Sequence, residues 1–216
     1  MSGDGRTGFD FRSLGPRERY KLLIGTVVPR PIAWITTVDP NGRVNAAPFS
    51  FFNVLTADPP ILAVGIENHA DMRMKDTAEN IRLTEQFTVN IVDMKTVEAM
   101  DNTAIAFPPE VNEVEAAGLA TRPGVSVISP WIAEAPVALE CRRHMTLSLG
   151  RSREIVLGEV LHLHMRADLV NDRLHVDQAG LDAVGRMGGH SYSSTRDLFD
   201  LVTPSLAQWT ARLASE

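Results

Sequence analysis

At 216 residues the chain has room for one domain with a substantial core, and its size calls for no metal or disulfide staple. Hydrophobic residues at 44% and charged residues at 22% exclude a disordered, coiled-coil or collagen-like chain. The formal charge is −6 and basic residues nowhere form a run, so the electrostatic footprint of a nucleic-acid or membrane-surface partner is missing and a small molecule is the expected partner.

Met1 to Leu14 is polar and glycine-rich without an apolar period, so residues 1–15 read as a flexible lead. Asp4, Arg6 and Asp10 interrupt the start where the apolar stretch of a signal peptide would lie. Pro16 suits a first helical position, and Tyr20, Leu23 and Ile24 form a stripe at helical spacing before Thr26, Val27 and Val28 turn extended. Pro31 to Val38 is β-branched and aromatic, and Asp39-Pro40-Asn41-Gly42 is a turn, which predicts a hairpin returning through Arg43 to Pro48. Asp58-Pro59-Pro60 is followed by an apolar strand, Ile61 to Ile66, buried on both faces. A helix is expected within Asp71 to Leu83, with Asp76 or Thr77 as the cap of its last segment.

Gln86 to Asp93 alternates as a half-buried strand. Lys95 to Phe107 and Val111 to Ala117 read as short helices split by Pro108-Pro109. Two long two-faced strands follow, Val137 to Leu149 and Glu159 to Arg166, and Leu174 to Val176 suggests a further edge. Beyond Pro204, Leu206, Trp209 and Leu213 predict a docking tail helix, which divides the chain into a domain at 16–203 and a tail at 204–216. Irregularly spaced strands with helical insertions predict a mainly β protein, a closed or partly closed antiparallel barrel, and not a doubly wound sheet.

No phosphate-binding glycine loop of either common kind is present. Gly185-Arg186-Met187-Gly188-Gly189-His190-Ser191-Tyr192 has no core period: it is either a surface turn or a place where backbone approaches a ligand that Arg186 and Tyr192 also meet. His162 and His164 share a strand face and, with His144 or Glu140, offer a possible metal site, although histidines on a solvated or interface face explain them as well. Cys141 lies in an apolar row and reads as an inert core thiol, and as the single cysteine it fits a reducing, cytoplasmic setting. Arg30 is clamped between two prolines, while Ser50 and Asn53 break an aromatic stretch and suit a planar ligand with polar edges. Lys75-Asp76-Thr77 at a helix start combines a cation, a hydroxyl and free backbone N–H groups, which is the chemistry a phosphate requires.

The run P-R-P-I-A-W-I-T-T-V-D-P-N-G-R-V-N-A-A-P-F-S-F-F-N at Pro29 to Asn53, D-P-P at Asp58, K-D-T-A-E-N-I at Lys75, V-N-I at Val89, L-G-E-V-L-H-L-H at Leu157 and G-R-M-G-G-H-S-Y at Gly185 together resemble the flavin reductase-like, FMN-binding split-barrel family. The resemblance spans Tyr20 to Tyr192. It implies a Greek-key split barrel that forms a homodimer, with FMN at or beside the subunit interface and NADH or NADPH as electron donor. By motif, Ser50, Phe51 and Asn53 are expected to line the isoalloxazine, Lys75 and Thr77 to reach the phosphate, and Arg30 to add a phosphate or ribityl contact. Arg186, Gly188, Gly189 and Tyr192 are expected to close the pocket on the ring or nicotinamide side. The family includes reductases that supply a flavin-dependent monooxygenase, and flavoredoxins, so a non-catalytic electron-transfer flavoprotein is the alternative. Hydride transfer between the two cofactors needs no protein acid or base, and no catalytic residue is named.

Overall fold

The computed structural model describes residues 5–108, 111–150 and 152–213. Part of the predicted lead, Pro109 of the predicted break and the last three residues of the predicted tail lie outside the described residues. The strands are β1 (Arg30–Pro31), β2 (Ala33–Val38), β3 (Val44–Phe49), β4 (Phe52–Ala57), β5 (Pro60–Glu67), β6 (Gln86–Ile91), β7 (Thr121–Arg122), β8 (Trp131–Ile132), β9 (Val137–Leu149), β10 (Arg153–Met165), β11 (Val184–Arg186) and β12 (Tyr192–Ser194). The helices are α1 (Pro16–Thr26), α2 (Asp76–Thr84), α3 (Val97–Asn102), α4 (Glu113–Ala116), α5 (Gln178–Leu181) and α6 (Leu206–Leu213).

Seven strands pair antiparallel in the order β3-β2-β6-β9-β10-β5-β4 and curl into the split barrel expected from the resemblance. The first hairpin is set by its turn. Asp39 accepts hydrogen bonds from the backbone N–H of Asn41 and Arg43, both at 2.8 Å, and Ala33 to Val38 then pair with Phe49 to Val44. Ala33, Ile35, Phe49, Val64, Ile66, Phe87, Val89 and Val156 fill the barrel, and Ala78 and Ile81 of α2 join this cluster. A second cluster of Ile32, Trp34, Val92, Met100, Ile132, Ala135 and Val184 lies on the opposite face of β2, with the Trp34 indole donating to Thr103 Oγ1 at 2.9 Å.

Several expectations are corrected. The polar side of β6 is buried too, because the 125–132 segment covers it: Asn90 accepts from Ile132 N–H and donates to Trp34 O, both at 2.9 Å, and Thr88 donates to Ser129 O at 3.1 Å. The same segment is pinned by Glu140, fully buried, which accepts from the backbone N–H of Val125, Ser126 and Val127 at 2.8, 2.5 and 3.1 Å. Strand β10 begins at Arg153, six residues before the expected Glu159, and β4 is a strand where aromatic and polar residues had hidden the period. Helix α2 starts only at Asp76, with Lys75 as its N-cap in place of Asp76 or Thr77. Helix α1 continues through Thr26, and none of its residues is buried. The glycine-rich segment is a hairpin, β11 to β12, that also pairs with β1. The tail helix α6 forms, and all of its residues are exposed.

Candidate functional site

Two clefts meet along Pro48 and Phe49, at the end of β3, and Ala104, just after α3. One, of about 250 Å³, lies between α1, α3 and the β11–β12 hairpin and is lined by Tyr20, Arg30, Ser50, Asp101, Arg186, Gly189 and Tyr192 among others. The other, of about 260 Å³, opens at the start of α2 and is lined by Asn45, His69, Lys75, Thr77, Phe107 and Glu113 among others. Of the ten residues singled out from the sequence, Arg30, Ser50, Arg186, Gly189 and Tyr192 therefore meet in the first cleft, and Lys75 and Thr77 in the second. Phe51, Asn53 and Gly188 line neither.

Arg30 is buried, and β1 aims its guanidinium at backbone: Nη1 donates to the carbonyls of Ile24 and Val27 at 2.7 and 2.8 Å, and Nη2 to Met187 O at 2.9 Å. Nε reaches Ser50 Oγ at 3.4 Å. One side chain thus ties the end of α1, the glycine hairpin and the Ser50 corner together. Burial lowers its pKa and nearby Arg186 lowers it further, but an arginine keeps its charge at neutral pH regardless.

Across the cleft, Arg186 lies over the Tyr192 ring, 4.5 Å from its centroid, and donates to Gly189 O at 2.6 Å. The Tyr192 hydroxyl donates to Asp101 Oδ1 at 2.6 Å. Burial raises the tyrosine's pKa, and the bond to Asp101 adds to the effect, so the ring presents a neutral phenol held by an acceptor. Gly189 has a φ of +63° that a residue with a side chain rarely adopts, whereas Gly188 lets the hairpin pass close to α1: a Cβ there would stand a tight 3.3 Å from Gly25 Cα.

At the other end, no side chain caps α2, whose first-turn N–H groups lack intrahelical partners, and Lys75, Asp76 and Thr77 at its start line the cleft. The Lys75 ammonium is 5.8 Å from the Phe49 ring centroid. Thr77 is buried and its hydroxyl accepts from Asn45 Nδ2 at 2.9 Å. Burial raises the pKa of Glu113, which accepts from Ala46 N–H at 3.4 Å. This donor set of ammonium, hydroxyl and free amides is the chemistry that holds a phosphate.

Phe51 and Asn53 lie on the outer side of the sheet. The Phe51 ring is flanked by Tyr20, at 6.5 Å between centroids, and by Arg153, at 4.3 Å, and Asn53 is exposed with its side-chain oxygen on the N–H of Val54. Sequence reasoning did not single out Asp101 or His69. Asp101 is 91 residues from its partner Tyr192 and sits in what reads as an ordinary helix, so no local signal marks it. His69 stands six residues before Lys75 in the same loop, and that proximity was the available signal.

The histidine alternative fails on geometry. His164 Nε2 is engaged with Glu140 at 2.6 Å and its ring stacks on Trp131 at 4.8 Å, and among the described residues no group of three or more His, Cys, Asp or Glu is placed to hold a metal ion. Cys141 is fully buried, and burial drives its pKa far upward, so the thiol is inert.

Known proteins agree with this architecture. An uncharacterised protein of Deinococcus radiodurans is 46% identical over 210 residues, covering 94% of this chain and 92% of its own. Nitrilotriacetate monooxygenase component B from Bacillus cereus superposes with a TM-score of 0.88 at 30% identity, covering 92% of this chain and all of its own. The 2-nitrobenzoate 2-nitroreductase NbaA of Pseudomonas fluorescens does so with a TM-score of 0.86 at 33% identity, covering 93% of this chain and 98% of its own. The flavin reductase-like domain matches residues 24–182, and with three quarters of its length inside that match the chain belongs to the flavin reductase-like family.

Proposed function

We propose that the protein binds FMN and reduces it with NADH or NADPH. The observation that carries this reading is the pair of clefts joined along Phe49: one end offers phosphate chemistry at α2, and the other is a half-apolar slot between Tyr20, Arg186 and Tyr192 that suits a planar ring with polar edges. Together the clefts fall within the roughly 300–1,000 Å³ usual for a small-molecule site. Flavin and nicotinamide, once bound, carry the hydride chemistry between them.

The chain's residues bind and align. Lys75, Thr77 and the α2 amides hold the phosphate, and Ser50, oriented by Arg30, meets the ribityl chain; Phe51 and Asn53, on the outer face of the sheet, would reach the ring only where a second copy closes over the groove. Arg186 supplies a fixed positive charge near the ring's pyrimidine edge, where reduction builds negative charge, and Tyr192 with Gly188 and Gly189 shapes the nicotinamide side. The single-turn hairpin holding these last residues is anchored by Arg30 and Asp101, so their alignment is built in before the cofactors arrive.

The outer row of β9 exposes Met145, Leu147 and Leu149, an apolar face that a homodimer would cover. Among the described residues no helix is long and apolar enough to cross a membrane, and a cytoplasmic location, where nicotinamide cofactors are replenished, completes the reading. The likeness to a monooxygenase component B makes a flavin-dependent monooxygenase the proposed recipient of the reduced flavin.

Rapid mixing of FMN-loaded protein with NADH and with NADPH is the test. Bleaching of the visible flavin band is expected for at least one of them, and again after each reoxidation of the flavin by added oxygen. Failure with both would leave an electron-transfer flavoprotein fed by another reductase.

A further inference from the structure

The body of the protomer ends at Arg196, whose guanidinium pairs with Asp182 at 2.7 Å while Thr195 Oγ1 donates to Ala183 O at 3.0 Å. From Asp197 to Leu213 every residue except Pro204 is exposed. The segment is nevertheless strongly apolar: Phe199 is 82% exposed, Leu201 85%, Val202 91% and Leu206 81%, and Leu198, Trp209 and Leu213 are each more than half exposed. Leu206, Trp209 and Leu213 lie on one stripe of α6. An eight-residue helix whose residues are all exposed is too short to persist in water by itself, so its apolar stripe needs a surface.

We propose that residues 197–213 are an exchanged arm that docks on a second copy of this chain, with the α6 stripe lying on the outer apolar row of that copy's β9. The proposal rests on the homodimer reading above. Two observations choose the occupant. The first is area: these side chains offer on the order of 900 Å², close to the ~800 Å² each partner gives to a stable interface. The second is reciprocity. The same chain carries both halves, an apolar arm and an apolar row through Met145, Leu147 and Leu149, and leaves both exposed. A twofold dimer satisfies each arm with the other copy's row and closes without leaving a free end for further growth. The arm springs from β12, whose Tyr192 walls the ring-end cleft, so docking also steadies that wall.

Hydrogen exchange on the full-length protein, read by mass spectrometry at residues 206–213, tests this above and below the dimer's dissociation concentration, with sedimentation fixing the oligomeric state. Protection of α6 in the dimer and its loss in the monomer are expected. The double substitution Leu201→Asp/Val202→Asp, at positions 85% and 91% exposed in the protomer, should remove the protection and raise the dimer dissociation constant roughly tenfold or more. Leu147→Lys in the receiving row should also expose α6. An unprotected α6 in a dimeric parent would overturn the arm while leaving the dimer standing, and protection that survives in the monomer would mean that the arm folds back on its own protomer. A parent that stays monomeric throughout would remove the homodimer reading and the arm with it.

Discussion

Lys75 is the N-cap of α2, and its ammonium lies near the Phe49 ring where the two clefts join. If its ammonium meets the FMN phosphate, Lys75→Ala removes a charge-assisted contact of about 1.5–3 kcal/mol and weakens FMN by roughly ten- to a hundredfold. Riboflavin, which lacks the phosphate, should lose little. Fluorescence titration with both ligands measures the difference, and equal losses would move the phosphate elsewhere. The local chemistry of this residue was legible because cation, hydroxyl and helix start are neighbours in sequence. Arg30 was legible as a constrained arginine, yet its engagement with Ile24, Val27 and Met187 was not, since one of those carbonyls is 157 residues away. Asp101 was invisible for the same reason, as its role exists only where Tyr192 arrives.

Among the elements, β9 and β10 show what alternation reveals and conceals. The run from Val137 to Leu149 was correctly bounded by its period, but β-bulges at Leu157/Gly158 and Val160/His162 shift the register, so an unbroken alternation does not describe both ends of the pair. Exposure of Leu161 and Leu163 follows, although an apolar row reads from sequence as a core row. Gly158 sits at the first bulge and passes directly against Phe87. A Cβ there would lie 2.3 Å from Phe87 Cζ and 3.3 Å from Cys141 Cβ, and the Phe87 ring is fully buried with nowhere to retreat. Gly158→Ala is therefore expected to destabilise the fold by about 1–3 kcal/mol through overpacking. Urea unfolding reads the loss, and a variant as stable as the parent would show that the barrel accommodates the methyl by shifting β10. The substitution is remote from both clefts, so FMN affinity at temperatures well below melting should be preserved.

On the scale of the whole molecule, seven of the ten sequence-chosen residues fall in the joined clefts, while Phe51 and Asn53 face outward on the side that carries Met145, Leu147 and Leu149. The barrel itself was legible from hairpin turns and ordered motifs. The division of the site between an inner groove and an outer face was not, because periodicity reports which side chains share a side and not what lies against that side. Under the dimer reading, the ring end of the groove is completed where the outer faces of two copies meet, so flavin binding and dimerisation draw on the same contacts. Linkage then requires that FMN tighten the dimer by the factor by which dimerisation tightens FMN. Sedimentation equilibrium across a protein dilution series, with and without saturating FMN, is expected to show a lower dissociation constant with the ligand. The coupling should be roughly five- to 150-fold, the usual range for two sites that share an interface. Riboflavin should preserve most of this coupling, since the shared contacts lie at the ring and not at the phosphate. A dissociation constant unchanged by FMN would mean that each protomer holds a complete site, with Phe51 and Asn53 serving the sheet's outer face alone.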